Sequence, residues 1–344
     1  MRDQEILFRL IRSALDGQPP YLGTTPIAAS QWWTLFRLAQ RGHVAALTSM
    51  AVADMDVPRE VKIPWLAERE KAASWYRYQQ EVQQEVLRVM ERRQIDTIVL
   101  KGSTLAQYYP QPEMRQFGDI DLYFYARHDE ADEVARRELG VDILDNSYHH
   151  TKYDLRGVTI ESHRDFLNRR YPRSNRSIDT TLKKMAPSAN FEVLYLMRHL
   201  AGHFAAGRIT LRDITDLYLT CRTHHSDINW PVLQDAVKRS GMLPFVAAMS
   251  TIIERRFEYR LPITFPVYII GNDTANQVEY DIVYGSRYSD DSHADGPARL
   301  SWKVRRWFAN RWKRRLVYND SELSLLLASL TSHIGKPRSI LHKV

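Results

Sequence analysis

Two aspartates at alternate positions of an apolar segment constrain the fold of this chain more than any other feature. Asp119 and Asp121 are separated by Ile120 and followed by Leu122. Successive side chains of a β-strand project to opposite faces, so this pattern predicts a strand with both carboxylates on one face and both aliphatic side chains in the core. Two carboxylates held side by side repel each other, and a bound divalent cation such as Mg²⁺ removes that cost. The sequence therefore predicts a strand that carries a cation site.

A Lys-Gly-Ser turn before these aspartates makes the pattern more specific. The apolar run 97–100 leads into this turn, and a spacer separates the turn from the Asp-Ile-Asp strand. This order resembles the signature of the nucleotidyltransferase superfamily, whose fold is shared with DNA polymerase beta and kanamycin nucleotidyltransferase. The wider phrase is similar to a bacterial family of uncharacterised nucleotidyltransferases, through Leu100-Lys101-Gly102, Tyr109-Pro110, Arg115 and Gly118-Asp119-Ile120-Asp121-Leu122. The resemblance implies a fold and a reaction class, and it does not name an acceptor.

The resemblance implies a metal-dependent enzyme that transfers a nucleoside monophosphate from a nucleoside triphosphate and releases pyrophosphate. In such a transfer two Mg²⁺ or Mn²⁺ ions, about 3.5 to 4 Å apart, hold the charge that builds on the attacking and leaving oxygens. Asp119 and Asp121 would bridge both ions as metal ligands and catalytic residues. A third acidic residue on a neighbouring strand completes such a site, and Glu161, within a short apolar segment, is the candidate. Asp154 and Asp165 are the alternatives.

The turn before the aspartates is the expected phosphate site. Gly102 and Ser103 would let backbone amides approach the β and γ phosphates at a helix N-terminus, where the helix dipole favours anions. Lys101 and Arg115 would add positive charge there. His163, two positions after the candidate acid, would share its strand face, and the resemblance to the bacterial family extends to it. We expect nucleotide binding at this site, with ATP as a candidate donor.

Length and composition predict about two globular domains. The chain has 344 residues, of which 44% are hydrophobic, enough for a sizeable core. Residues 1–17 lack the continuous apolar core of a signal peptide, and no apolar run reaches the ~20 residues that span a bilayer, so a cytoplasmic location without a transmembrane segment is expected. The single cysteine, Cys221, excludes an intramolecular disulfide and a Cys-rich zinc site, and favours a buried apolar role.

The fold class predicted from these features is α+β, with a nucleotidyltransferase-type mixed β-sheet catalytic core, N-terminal helices and a C-terminal helical domain. The three expected regions are an N-terminal helical region at 1–94 that packs on the core, the catalytic core at 95–188, and the C-terminal helical domain at 189–344. Periodicity and breaker residues predict helices at 5–15, 28–53, 65–93, 104–109 and 129–139, and strands at 96–100, 141–144, 149–155 and 158–163. They also predict helices across 190–254, a mostly loop segment at 260–298, and final helices at 299–317 and 321–333.

A pair of histidines in the C-terminal region leaves three interpretations open. His199 and His203 lie one helical turn apart, a spacing that can chelate zinc when Asp213 or Asp216 supplies a third ligand. Two histidines with one carboxylate are a poor match to a complete zinc site. The second interpretation places His199, His203, Arg212 and Asp213 in the cleft, in contact with the nucleotide or the acceptor. In the third, the two histidines only stack on or hydrogen-bond to neighbouring residues.

Positive charge is concentrated in one stretch near the C-terminus. The net charge is +7, and the stretch from Arg299 to Arg315 has eight Lys or Arg and no acidic residue, so the remainder of the chain has a net charge of about −1. The predicted basic helix at 299–317 has an apolar stripe for packing, at Leu300, Val304, Phe308, Trp312 and Leu316. Such a helix can contact RNA through phosphates and stacking, lie on an anionic membrane surface, or serve only the fold.

Three functions compete on this sequence. The first is a nucleotidyltransferase whose acceptor is a small molecule, a protein or an RNA. The second is a catalytically inactive module of the same fold that binds nucleotide or RNA. The third is a metal-dependent hydrolase that uses His199, His203 and Asp213. A protein with no need for metal has no reason to keep two aspartates that repel each other, so the sequence favours the enzyme.

Overall fold

The aspartate pair lies on a five-stranded sheet in a computed structural model, which describes residues 2–24, 26–146, 149–169, 172, 174–266, 272–286 and 296–326. The chain divides into two compact units, Met1–Phe166 and Leu167–Val344. The first unit contains the sheet and the N-terminal helices, and the second is helical in its described residues. The expected α+β class, with a mixed sheet and helical regions on either side of it in sequence, is confirmed.

The N-terminal region begins with two helices, α1 (Asp3–Asp16) and α2 (Ala29–Arg41). A third helix, α3 (Ala45–Val52), follows after a short break, so the prediction of one helix across 28–53 is wrong. The break lies at Gly42-His43, where His43 has a φ of +55° that a continuous right-handed helix cannot contain.

The long helix α4 (Arg59–Arg92) starts earlier than predicted and contains Pro64, which the sequence suggested would lie in the connection before it. Proline inside a helix removes one hydrogen bond. The next residue offers a compensation, because the Trp65 ring is fully buried against Trp32 and Phe36, with centroid distances of 6.3 and 5.3 Å. The Trp65 indole also donates to the Ala45 carbonyl at 3.1 Å.

The sheet region contains the elements that the sequence predicted. In chain order they are β1 (Ile98–Leu100), the short helix α5 (Gly102–Ala106), β2 (Asp119–Tyr123), α6 (His128–Val134), β3 (Ile143–Asn146), β4 (His150–Leu155) and β5 (Val158–His163). The helix α6 continues as a wider turn over Ala135–Leu139. The strand order is β1-β2-β5-β4-β3, and β2 pairs with β5 in parallel while the other pairs are antiparallel.

The apolar face of this sheet packs on α4. Ile120 and Leu122 of β2 and Ile160 of β5 are buried in one cluster with Val82 and Val86 of the helix. Because strand side chains alternate, burial of these residues turns Asp119 and Asp121 to the other face. The hairpin between β4 and β5 turns at Arg156-Gly157, where both residues have positive φ, as a two-residue type I′ turn requires.

The described residues of the second unit form eight helices, besides a helical segment at 322–326. They are α7 (Asn175–Met185), α8 (Ala189–Ala205), α9 (Leu211–Thr223), α10 (Trp230–Arg239), α11 (Leu243–Phe257), α12 (Asn272–Tyr284), α13 (Gly296–Ala309) and α14 (Arg311–Val317). The helix α7 was not predicted, and α12 lies within the segment at 260–298 that was expected to be mostly loop. The expected helix at 321–333 is helical at 322–326, and its remainder lies outside the described residues.

The basic stretch forms two helices instead of one, because the chain breaks at Asn310 between α13 and α14. The predicted packing stripe is also wrong: Val304 is 48% and Phe308 is 62% exposed, while Lys313 and Arg314 are buried. Lys313 forms an ion pair with Asp281. The charged side chains thus face the interior at two positions where the sequence suggested a solvated face. The side chain of Leu300 lies outside the described set.

No described helix combines the length and the apolarity that crossing a membrane requires. Cys221 is fully buried, as expected, and burial raises the pKa of its thiol.

Candidate active site

The register between β2 and β5 brings the predicted acids together. In this parallel pair Asp121 lies opposite Glu161, and Tyr123 lies opposite His163. Facing residues of neighbouring strands project from the same side of a sheet, so Glu161 stands beside the aspartate pair. Asp121, Glu161 and His163 form a group whose candidate ligand atoms all lie within 4.8 Å of one another.

The rival carboxylate Asp154 is placed differently. It lies at the turn end of β4, where its Oδ1 accepts the backbone N–H of Gly157 at 2.8 Å. This contact closes the hairpin turn. Asp165 follows the last strand, is buried, and belongs to neither of the groups in the described chain that could hold a metal.

Asp121 is a buried carboxylate between two basic side chains, Lys101 and His163. Its Oδ1 lies 3.0 Å from the Lys101 ammonium and 2.9 Å from His163 Nε2. Burial works to raise the pKa of Asp121, but Lys101 and His163 outweigh it and hold the pKa below its ordinary value. The pKa of His163 is raised above its ordinary value. Burial of the ring works to lower this pKa, whereas the hydrogen bond to the Asp121 carboxylate raises it. Asp121 is therefore ionised and charge-balanced.

Asp119 is in the opposite electrostatic situation. It is only partly buried, and both its burial and the charge of Asp121 raise the pKa of its carboxyl, with Lys101 acting against them. The repulsion that the sequence pattern suggested is thus present in the structure. It falls on Asp119, the member of the pair that lies nearer the solvent.

Glu161 is held by residues of its own hairpin. Its carboxylate forms an ion pair with Lys152, which faces it across β4 and β5, and its Oε2 lies 3.6 Å from His163 Nε2. Burial would raise the pKa of Glu161, but the hydrogen bonds to His163 and Lys152 keep it well below its usual range. Glu161 is ionised, like Asp121.

The turn before α5 has an unusual backbone. Lys101 and Gly102 have consecutive φ angles of +52° and +46°. Positive φ is strained for a lysine, and such strain is concentrated at functional sites in proteins. Ser103 donates its hydroxyl hydrogen to Gln83 Oε1 of α4 at 2.7 Å, so this hydroxyl anchors the turn to the helix.

Arg115 lies behind the turn. Its guanidinium is buried, donates to the Gly102 carbonyl at 3.0 Å and lies 5.8 Å from the Phe117 ring centroid. These contacts fix the carbonyl side of the turn, whereas the expected role was added charge for a triphosphate. Lys101, the other expected phosphate ligand, contacts Asp121 in this structure.

A family comparison agrees with this arrangement. The family model described as "Uncharacterised nucleotidyltransferase" matches residues 28–258, more than half of the chain. The chain belongs to this nucleotidyltransferase family. A search of curated proteins and a search of solved structures each gave no match. The matched range includes the aspartate pair, the Lys-Gly-Ser turn and Glu161.

Several residues at the site of this nucleotidyltransferase were missed by sequence reasoning. Gln79 and Gln83 are buried on α4, and Gln79 donates to the Gly118 carbonyl at 3.3 Å. Two polar residues four apart on the buried face of a helix were a readable signal. Lys152 was also missed, although its position opposite Glu161 follows from counting back from the predicted hairpin turn.

Histidines His149 and His150 also lie at this end of the nucleotidyltransferase sheet. Their rings are centred 5.0 and 5.4 Å from that of His163, respectively. Burial, together with the neighbouring histidines, lowers the pKa of His149 to about 2, so this ring is neutral at ordinary pH. The adjacent His-His pair in the sequence was the available signal, and it was not used.

The remaining candidates belong to the second unit of the nucleotidyltransferase. The rings of His199 and His203 are centred 4.1 Å apart, and His203 Nδ1 lies 3.9 Å from Asp213. Asp213 caps α9, because its carboxylate accepts the Thr210 N–H at 2.9 Å, and it also pairs with Arg212 at 3.3 Å. Within the described part of the chain, the groups close enough to hold a metal do not include this set. The geometry therefore favours a structural role for Asp213 over the zinc hydrolase.

Proposed function

We propose that this protein transfers a nucleoside monophosphate from a nucleoside triphosphate to an acceptor hydroxyl or phosphate, with release of pyrophosphate. Asp119, Asp121 and Glu161 are the proposed catalytic residues and the ligands of Mg²⁺ or Mn²⁺. The observation that carries the proposal is the parallel register that sets Glu161 beside Asp121 on the strand face that also bears Asp119. Family membership supports the reaction class.

The donor set fits a hard divalent cation. Three carboxylates lie on one face of the sheet, and the ligand atoms of Asp121 and Glu161 are within 4.8 Å of each other. Oxygen ligands are what Mg²⁺ and Mn²⁺ prefer. Lys101 already balances the charge of Asp121, and Lys152 balances that of Glu161. The pKa of Asp119, by contrast, is raised by its burial and by the charge of Asp121. When bound, the cations supply stabilisation of the charge that develops on the attacking and leaving oxygens.

The surrounding residues have proposed roles in binding the triphosphate. Lys101 has a flexible stem, and we assign its ammonium to the phosphates of the donor once Asp121 has another counter-ion. Gly102 and Ser103 present backbone amides at the start of α5 to the same phosphates. Arg115 holds the carbonyl side of this turn. Contact of His163 with the nucleotide or the acceptor stays a proposal, and so, separately, does contact of His199, His203 and Arg212.

The direct test compares thermal stability with each of the four ribonucleoside triphosphates, with and without Mg²⁺. We expect a Mg²⁺-dependent rise in melting temperature for the wild type and none for an Asp119→Asn, Asp121→Asn double variant. A ligand that binds only the native state stabilises it by about 2.7 kcal/mol at a hundredfold excess over Kd. Asp154→Asn is the matched control, because it removes one carboxylate charge of the same sheet at the far hairpin turn.

Equal shifts in the wild type and the double variant would refute the site assignment. The inactive binding module is separated by a second measurement, the transfer of a label from the α-phosphate to a product. Binding that depends on Asp119 and Asp121 without any labelled product across candidate small molecules, proteins and RNAs would favour the module. Transfer that depends on both aspartates supports the enzyme.

A further inference from the structure

Three histidines gather where β4 begins and β5 ends. His150 faces His163 across this antiparallel strand pair, and His149 directly precedes β4. The backbone fixes His149 as well, since its carbonyl accepts the Arg164 N–H at 3.0 Å. One candidate ligand atom from each of the three rings lies within 4.8 Å of the other two. The cluster is therefore produced by the strand register.

Two ring nitrogens in this cluster have unused hydrogen-bonding capacity. Nδ1 of His149 and Nδ1 of His163 are both buried, and neither has a hydrogen-bond partner in the described structure. His163 as a whole is only 4% exposed. Burial of a polar atom without a hydrogen-bond partner is energetically unfavourable, so native proteins rarely keep such atoms without a reason.

The other nitrogen of His163 shows which state of the ring can act as a ligand. Nε2 lies 2.9 Å from Asp121 Oδ1. In the neutral tautomer that donates this N–H to the carboxylate, Nδ1 has a free lone pair. Histidines that bind metals in proteins commonly donate their second ring N–H to a carboxylate in this way, which orients the ring and raises its basicity.

We propose that His149, His150 and His163 bind a divalent transition-metal ion of the zinc class. Imidazole nitrogen suits Zn²⁺ and its neighbours in the first transition row, whereas Mg²⁺ and Ca²⁺ take oxygen. Three protein ligands leave a fourth position open in the tetrahedral arrangement that Zn²⁺ adopts. The bound ion satisfies the two buried nitrogens and joins the start of β4 to the end of β5. This proposal does not depend on nucleotide transfer.

One rival ligand set uses part of the same cluster. Asp121, Glu161 and His163 also form a group of suitable size. The two sets share His163 and differ in the remaining ligands, so replacements of His149 and His150 on one side and of Glu161 on the other distinguish them.

The experiment is calorimetric titration of Zn²⁺ into metal-stripped full-length protein. The wild type is expected to bind one Zn²⁺ per chain, and a His149→Ala, His150→Ala variant is expected to bind it at least about a hundredfold more weakly. Loss of a residue that only hydrogen-bonds to a metal ligand already lowers metal affinity by about 10- to 100-fold. Loss of two ligands is therefore expected to lower the affinity for Zn²⁺ by more than that. A His199→Ala, His203→Ala variant is the matched control, because it removes another two histidines whose rings lie close together, and it is expected to bind Zn²⁺ like the wild type.

Zinc binding that survives in the His149→Ala, His150→Ala variant overturns the proposal, as does an absence of binding in the wild type. Loss of binding in Glu161→Gln without loss in the histidine variant assigns the ion to the rival set and overturns it too. A His150→Gln variant and circular dichroism of every variant separate ligand loss from unfolding. Expected weakening in His150→Gln with an unchanged spectrum supports the proposal.

The outcome of the Zn²⁺ titration can be distinguished from that of the nucleotide-binding experiment. Asp119→Asn removes a proposed Mg²⁺ ligand but none of the three histidines, so it is expected to lose the Mg²⁺-dependent nucleotide shift and to retain Zn²⁺ binding. Retained Zn²⁺ binding without any nucleotide shift in the wild type would count against the transferase site alone. A nucleotide shift without Zn²⁺ binding would count against the histidine site alone.

Discussion

At the scale of single residues, the buried carboxylate of Asp121 determines how the site behaves without a cation. It has a Lys101 ammonium at 3.0 Å and His163 at 2.9 Å, and it is 2% exposed. A divalent cation at this carboxylate has to compete with the lysine. Lys101 therefore acts as a counter-ion in one state and becomes available to phosphate in the other.

Replacement of Lys101 tests whether Mg²⁺ competes with this lysine for the Asp121 carboxylate. We expect Lys101→Met to lower the free energy of unfolding in the absence of Mg²⁺ by about 3–5 kcal/mol, the range for removing one partner of a buried ion pair. We also expect added Mg²⁺ to stabilise Lys101→Met more than the wild type, since the cation no longer displaces an ammonium. Urea denaturation with and without Mg²⁺ measures both effects.

The matched control is Lys152→Met, which removes the half-exposed partner of Glu161. Its loss in stability should be smaller, because solvent screens an exposed pair. An equal Mg²⁺ response in Lys101→Met and wild type would contradict competition at Asp121.

Strand alternation predicted the shared face of Asp119 and Asp121, and the family resemblance, which implies a third acid on a neighbouring strand, led to Glu161. Asp119, Asp121 and Glu161 share one strand face because side chains alternate, and the hairpin turn at Gly157 fixed the register of the last strand. The use of Lys101 as a partner of Asp121 depends on tertiary placement of a side chain, which no local pattern encodes.

At the scale of elements, a substitution in the turn that begins α5 tests how much the site depends on backbone conformation. Gly102 has a φ of +46°, and a Cβ there would meet the Phe117 ring at 3.5 Å and the Asp119 carbonyl oxygen at 3.8 Å, both ordinary contact distances. We expect Gly102→Ala to destabilise the protein by about 1 kcal/mol through backbone strain alone. Gly118→Ala is the control, since its Cβ would meet nothing within 4 Å and its φ is not positive.

Urea denaturation of the two alanine variants measures this difference. The Gly118→Ala variant is expected to stay within about 0.5 kcal/mol of the wild type, as for other surface changes. Equal effects at the two glycines would show that the positive φ of Gly102 carries no cost.

The cap of α9 gives a pH-dependent prediction. Burial works to raise the pKa of Asp213, but His203, Arg212 and the Thr210 amide outweigh it and hold the pKa well below its ordinary value. A carboxyl whose pKa is lowered by folding contributes stability above its unfolded pKa of about 3.9, and that contribution is lost as the pH falls below it. The stability lost in Asp213→Asn should therefore be larger at pH 7 than at pH 3.

Denaturation of the wild type and Asp213→Asn at pH 7, 5, 4 and 3 gives this difference directly. The asparagine retains an oxygen that can accept the Thr210 N–H, so the variant isolates the charge. A stability difference that stays constant over this pH range would show that the charge of Asp213 contributes nothing.

Helix and strand types were predicted well where periodicity was long, and poorly where a single backbone angle or tertiary packing decided the outcome. The break at His43 depends on one positive φ, which no flanking residue type requires. Pro64 lies inside α4, next to the buried Trp65. The helix α12, with Asn272, Asp273 and Thr274 in its first turn, looked like loop because these residues favour turns as well as helix starts.

At the scale of the whole molecule, the positive net charge is less available to partners than the sequence implied. Lys313 is paired with Asp281. Arg314 lies 3.1 Å from Glu322 and 4.1 Å from the Trp307 ring centroid. Two of the eight cations of the basic stretch are thus buried within the second unit, where their ion pairs contribute to stability.

The exposed cations of this stretch are the ones that an RNA can reach. Among the cations of the stretch whose side chains the structure describes, Arg305, Arg311 and Arg315 are exposed, although Arg311 and Arg315 lie 3.5 and 3.8 Å from Glu322. Each phosphate neutralised on a single strand contributes about −0.7 to the slope of log K against log salt, so three arginines give a slope no steeper than about −2. We expect RNA binding through this surface to be correspondingly weak.

Two sets of substitutions distinguish binding from folding in this stretch. Replacement of Arg305, Arg311 and Arg315 by Gln is expected to remove that salt dependence and to change stability little. Lys313→Met is expected to destabilise the protein by about 3–5 kcal/mol, because it leaves Asp281 as a charge without its partner. Fluorescence anisotropy with a single-stranded RNA at several salt concentrations, together with urea denaturation, measures both outcomes. A slope much steeper than −2 in the wild type, retained in the triple variant, would place the RNA surface elsewhere on the molecule.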